Sequence, residues 1–139
     1  AEVMVRAAAA DIFIGVAAVA DYRVANAADH KLKKDTGGIP PIELIENPDI
    51  LAEVAAMQGG PFCVGFAAES RNLEDYAQTK RRKKNIPLIA GNLIQDGFGG
   101  DENRLVLFDD NGVHPLTPAP KSVLARQLIE HIATLTGRA

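Results

Sequence analysis

The sequence contains one cysteine, Cys63, so it can build no internal disulfide, no cysteine-based zinc site and no C-x-x-C redox pair. The lone thiol, set in the apolar run "PFCVGFA", fits a reducing, cytosolic setting. Long apolar runs are missing too, and nothing approaches the roughly 18 residues that would cross a membrane. "AEVMVRAAAA" at residues 1–10 is too short and, with Glu2 and Arg6, too charged for a secretory leader; it reads as part of an amphipathic helix. There is no excess of positive charge. The formal net charge of −3 argues against a nucleic-acid binder, because backbone binding leaves a basic footprint across one face. Neither G-x-G-x-x-G nor G-x-x-x-x-G-K-[ST] occurs, so the two commonest phosphate cradles are absent.

What is present is enough for one domain over residues 1–139, since 139 residues with 47% hydrophobic content can bury a core. Short apolar runs alternate with helical patterns, which predicts an α/β fold around a mostly parallel sheet. "DIFIGVA" (11–17), "PFCVGFA" (61–67), "PLIAGN" (87–92) and "RLVLFD" (104–109) are the expected strands, and their near-continuous apolarity suits strands covered on both faces. In "NPDILAEVAAM", Asn47 is the expected N-cap and Pro48 the first helical residue, with Asp49 in an acidic first turn. "NLEDYAQTKRRKKN" predicts a second helix with acids early and cations late, matching the macrodipole. "DDNG" (109–112) predicts a tight turn into the strand "VHPL", and a last helix from Pro120 aligns Leu124, Leu128, Ile132 and Leu135.

Open α/β sheets bind ligands at the carboxyl ends of their strands. The first expected strand leads into about 20 residues without periodicity, and loops of that length are usually functional. There Gly15, Ala17, Ala18 and Ala20 let a ligand approach the backbone, and the Asp21 carboxylate can hold a hydroxyl or Mg²⁺. Lys31, Lys33 and Lys34 form one basic cluster, and Lys80, Arg81, Arg82, Lys83 and Lys84 a second; together they are eight of the 15 Lys and Arg residues. Lys80 and Lys84 are four apart and share a helix face, where two ammonium groups can reach one polyphosphate. The competing reading makes the second run a solvated complement to the helix dipole. Asp21 has a turn or cap role as its alternative, and Phe66 and Cys63 a core role. His30, His114 and His131 are scattered without metal-ligand spacing and are expected in surface or turn roles.

The segments "DIFIGVAAVADYR", "HKLKK", "ENPDIL", "VGFAAES" and "KRRKKN", in this order and spacing, resemble the phosphopantothenoylcysteine synthetase family of coenzyme A biosynthesis. That domain is the C-terminal half of a bifunctional bacterial decarboxylase/synthetase, and the resemblance runs over essentially the whole chain. It implies a three-layer, doubly wound, Rossmann-like fold and a cytoplasmic ligase joining 4′-phosphopantothenate to L-cysteine with CTP and Mg²⁺. The pantothenate carboxylate would attack the α-phosphate, releasing pyrophosphate, and the cysteine amine would open the acyl-cytidylate. FMN would belong only to a separate decarboxylase domain.

Carried over residue by residue, the resemblance implies nucleotide contacts at Gly15, Val16, Ala17, Asp21, Lys31, Asn47, Pro48, Asp49, Ile50, Phe66, Lys80 and Lys84, with Asp21 nearest the metal. Lys31, Ala17 and Ala18 match its catalytic positions. It also implies a homodimer, for which "TGGIPPIELIEN" (36–47) is the expected pairing arm; an intramolecular strand is the alternative. The sequence departs from the family after "PLIAGN", where Leu93 and Ile94 follow Asn92 in place of an acid. The family's G-G-T-x-E-P and R-x-I-x-N-x-S-S-G stretches do not occur, so the chain is expected to lack the domain's first strands. Two further readings follow: a catalytically incomplete nucleotide-binding or dimerisation module, and an NAD(P)-dependent oxidoreductase, against which the missing dinucleotide fingerprint weighs.

Overall fold

Strand and helix follow each other along a computed structural model that describes residues 2–29, 31, 41–93 and 103–137. The elements are α1 (Glu2–Ala7), β1 (Ile12–Gly15), β2 (Tyr22–Val24), β3 (Leu44–Glu46), α2 (Ile50–Ala55), β4 (Phe62–Glu69), α3 (Leu73–Lys84), β5 (Leu88–Leu93), β6 (Val106–Asp109), β7 (Gly112–Pro115) and α4 (Lys121–Leu135). They fall into two units, one formed by Ala1–Val16 with Ile50–Ala139 and the other by Ala17–Asp49.

In the first unit five strands form one sheet in the order β1-β4-β5-β6-β7. β1, β4 and β5 are parallel, with Ile12 opposite Phe62 and Val64 opposite Leu88. β6 and β7 extend the sheet as an antiparallel hairpin, Phe108 lying opposite Ile89 and Gly112 opposite Asp109. The α/β expectation therefore holds, with a parallel core and a two-stranded antiparallel margin.

Pleating sends alternate residues of each strand to opposite faces. Cys63, Ala67, Ile89 and Phe108 face one way and pack with Ala7, Val54, Ala77 and Ile86 from the neighbourhood of α1, α2 and α3. Val64, Leu88, Ala90 and Leu107 face the other way and pack against Leu128 and Ile132 of α4. Both faces are thus covered, which is why the strands read as unbroken apolar runs. The expected stripe of α4 is observed: Leu124, Leu128 and Ile132 are buried.

Glycines in the parallel strands let the helices close on the sheet. A Cβ on Gly65 would meet Ile86 Cδ1 at 2.8 Å and Leu51 Cδ2 at 2.9 Å, and one on Gly91 would meet Leu73 Cδ1 at 2.9 Å and Phe108 Cε2 at 3.0 Å.

The second unit is a two-stranded antiparallel ribbon, with Tyr22 opposite Glu46 and Val24 opposite Leu44. Of the segment expected as a pairing arm, residues 44–46 form an intramolecular strand, while residues 36–40 lie outside the described residues.

One helix boundary differs from expectation. α2 begins at Ile50, and Asn47 does not cap it. The Asn47 side chain instead donates from Nδ2 to the Ala20 carbonyl at 2.7 Å and accepts from Arg23 Nη1 at 3.0 Å. An asparagine is a good cap only while its amide is not engaged by a stronger set of partners, and here the guanidinium takes the oxygen.

Candidate functional site

The residues singled out from sequence fall in both units. In the second unit, "ADYR" and "ENPD" are 26 residues apart in sequence at Asp21 and Asn47, yet they form one hydrogen-bonded block. Asn47 N–H donates to the Asp21 carbonyl at 2.8 Å, and its side-chain amide reaches the Ala20 carbonyl. Arg23 Nη1 donates to the Glu46 carbonyl at 2.9 Å as well as to Asn47 Oδ1. Asn47 is half-buried as the centre of this brace, whereas Ala17, Ala18, Asp21, Pro48 and Asp49 are exposed beside it. Lys31 is exposed too. Lys33, Lys34 and His30 lie outside the described residues. The block offers a carboxylate, two amide-bearing segments and small residues that leave the backbone approachable.

In the first unit, β1 ends at Gly15, and Val16 N–H turns back to the Ile14 carbonyl at 3.2 Å. A Cβ on Gly15 would meet its nearest neighbours at 3.6 Å, so packing alone does not require glycine there. Ile50 opens α2 and packs against the core.

Phe66 lies in β4 with its ring against the α4-side core, and its backbone carbonyl accepts from Lys80 Nζ at 2.8 Å. The α3 helix thereby brings a half-buried ammonium to β4. That pairing of Phe66 with Lys80 is not visible in the sequence, where 14 residues separate them.

The rest of the basic run goes elsewhere. α3 follows the carboxyl end of β4 and leads into the first residues of the parallel strand β5, so its last turn, ending at Lys84, lies toward the amino edge of the sheet. Arg81 Nη1 accordingly pairs with Asp110 Oδ1 at 2.8 Å, in the turn between β6 and β7. Arg82 Nε donates to the Gln78 carbonyl within the helix. The expectation that the whole run gathers at the carboxyl edge is corrected for Arg81: a helix of 12 residues is as long as the strands it covers, and its two ends serve opposite edges.

Cys63 takes the core role. It is 2% exposed, and burial pushes its thiol pKa up, which makes it a poor nucleophile at neutral pH.

The structure also assembles a cluster where the sequence showed scattered residues. Asp109, at the end of β6, is 3% exposed and accepts from His114 Nε2 at 3.0 Å and His131 Nε2 at 2.8 Å. Burial pushes the Asp109 carboxyl pKa up, but hydrogen bonds from His114, His131 and the Asn111 N–H together outweigh it and hold the group below the usual carboxylate value. The surface or turn role expected for these two histidines is corrected: strand register and helix packing, which spacing does not report, bring both onto one carboxylate.

A family model described as the DNA/pantothenate metabolism flavoprotein C-terminal domain matches residues 1–135. The coenzyme A biosynthesis bifunctional protein CoaBC of Haemophilus influenzae is 47% identical over 124 residues, covering 87% of this chain and 31% of the relative. The protein of the same name from Escherichia coli K12 is 45% identical over 130 residues, covering 89% and 32%. The chain thus spans about a third of the length of these curated relatives. Among solved structures, the C-terminal domain of a coenzyme A biosynthesis bifunctional protein CoaBC superposes with a TM-score of 0.77 at 29% identity, covering 99% of this chain and 61% of that one. A DNA/pantothenate metabolism flavoprotein from Streptococcus pneumoniae shares the fold, with a TM-score of 0.72 at 19% identity over 96% of this chain and 64% of that one. With the α/β core, the braced loop segments and a match along nearly the whole length, the chain belongs to the DNA/pantothenate metabolism flavoprotein C-terminal domain family.

Proposed function

We propose that this chain forms the nucleotide-binding part of a CTP-dependent phosphopantothenate–cysteine ligase. The observation that carries the reading is the brace centred on Asn47. It ties the two loop segments that resemble the family's nucleotide contacts into one block, with the Asp21 carboxylate exposed beside it. Such a reaction asks little covalent chemistry of the protein: it needs alignment of the reactants and neutralisation of phosphate charge.

In this reading Lys80 neutralises phosphate charge in the first unit and Lys31 does so in the second, while Lys84, at the end of α3, lies toward the amino edge of the sheet. Gly15, Val16, Ala17 and Ala18 offer backbone to the activated intermediate. Mg²⁺ is ordinarily held by one or two carboxylates together with substrate phosphates, so a single exposed carboxylate at Asp21 fits a metal carried in on the triphosphate. The ion would screen charge on the leaving pyrophosphate. FMN has no role here and would belong to a fused decarboxylase domain.

Supplied with the upstream glycine-rich and Asn-bearing segments of the family, the protein is expected to release pyrophosphate and form phosphopantothenoylcysteine from CTP, Mg²⁺, 4′-phosphopantothenate and cysteine. CTP binding without turnover in that assay would favour a noncatalytic module. Tight binding of NADPH with none of CTP would select the oxidoreductase reading.

The ribbon of the second unit supports a homodimer. Tyr22, Val24, Ile42 and Leu44 are between 45% and 71% exposed, and a two-stranded ribbon is at best marginal until something covers it. A second copy is the proposed cover. Leu44→Asp is expected to shift the sedimentation coefficient from dimer to monomer; an unchanged dimer would exclude the ribbon from the interface.

A further inference from the structure

We propose that Asp109, His114 and His131 form a binding site for a borderline divalent transition metal, Zn²⁺ or a close analogue, that ties the β6–β7 hairpin to the C-terminal helix α4. The three side chains come from three elements. Asp109 closes β6, and because it lies opposite Gly112, the residue two further along β7, His114, projects on the same face. That is also the face of Leu107, which packs against α4. His131 lies beside the buried Leu128 and Ile132 on that helix and so descends onto the same carboxylate.

The donor set and its spacing suit such an ion. Two imidazole nitrogens and a carboxylate oxygen are ligands that Zn²⁺, Co²⁺ and Ni²⁺ accept. One ligand atom from each of the three residues lies within 4.8 Å of the others, and the His114 and His131 Nε2 atoms are 3.0 and 2.8 Å from the two Asp109 oxygens. Bonds of about 2.0–2.2 Å place tetrahedral ligand atoms roughly 3.4 Å apart, so small rotations about the side-chain torsions admit the ion.

The carboxylate is held in place from behind. Asn111 N–H and Gly112 N–H donate to Asp109 Oδ1 at 2.7 and 3.1 Å, the kind of outer support that orients metal ligands. The two rings are 4.8 Å apart between centroids and tilted by 51°.

Charge favours occupancy. The Asp109 carboxylate is 3% exposed, and in the protein interior a cation beside it is worth far more than in water. To ligate through Nε2, each ring offers that nitrogen's lone pair with its remaining proton on Nδ1. The side chains of His114 and His131 remain 35% and 21% exposed, which gives the ion an entry path and leaves a fourth position for water.

Asp109 stands near the level of Leu88, the first residue of β5, since Phe108 pairs with Ile89. The site therefore lies at the amino edge of the parallel strands, and nothing in it depends on the ligase reading.

Co²⁺ titrated into chelator-treated protein is expected to bind at one equivalent, to give visible absorption of a tetrahedral nitrogen–oxygen site, and to be displaced by Zn²⁺. His114→Gln and His131→Gln, checked for native circular dichroism, are expected to bind at least about 100-fold more weakly, since losing even an outer-shell partner costs about 10–100-fold. His30→Gln serves as the control for adventitious chelation and should bind as the parent does. Zn²⁺ should raise the melting temperature of the parent and of His30→Gln only. No saturable binding at one equivalent, or equal binding in the two cluster variants, would overturn the proposal.

Discussion

Lys80→Gln is expected to weaken CTP binding by about tenfold to hundredfold while leaving the fold intact. A charge-assisted hydrogen bond contributes about 1.5–3 kcal/mol, and each 1.4 kcal/mol is a factor of ten in affinity. The ammonium is well placed to contribute that much because it is half-buried and held by the neutral Phe66 carbonyl at 2.8 Å, with no ion pair to it among the described residues. A carbonyl orients the charge without cancelling it, so the full positive charge remains for an arriving phosphate. Glutamine keeps an N–H for the carbonyl and removes only the charge. Calorimetric titration of CTP, with the upstream segments supplied, separates two roles. If affinity holds while the melting temperature falls, Lys80 serves Phe66 and not the nucleotide.

Phe108→Ala is expected to cost about 3–5 kcal/mol of stability, much of what a domain of this size possesses. Phe108 is 1% exposed at the junction of the parallel core with the hairpin, and its ring stands against Gly91, whose missing side chain makes room for it. Glycine backbone cannot swing in to fill the space left by the ring. Little collapse and a large cavity follow. Chemical denaturation should show the loss, and Phe108→Leu, which keeps most of the volume, should lose less than half as much. A loss below about 1 kcal/mol for Phe108→Ala would mean that the hairpin edge repacks freely.

The candidate site divides along the same line as these two residues. "ADYR", "NPDI" and the lysines stand out in the sequence as short runs of unusual chemistry, which is what makes them candidates. The use made of them was not legible there. Asn47 resembles a helix cap in sequence, and it is a brace in the fold because Arg23 and the Ala20 carbonyl reach it from 20 or more residues away. Arg81 resembles a partner of Lys80, yet it turns to Asp110 because consecutive side chains on a helix point in different directions.

By itself the sequence determined the class of fold, the identity of most elements and the faces they bury, since a strand or helix must alternate or repeat its apolar residues with its own period in order to be covered. Tertiary structure alone decided which polar side chains meet. Asp109, His114 and His131 carry no spacing signal, being 5 and 22 residues apart across a turn and a helix packing. Their meeting depends on register and on the order of strands in the sheet, quantities set by contacts between elements that no local period encodes.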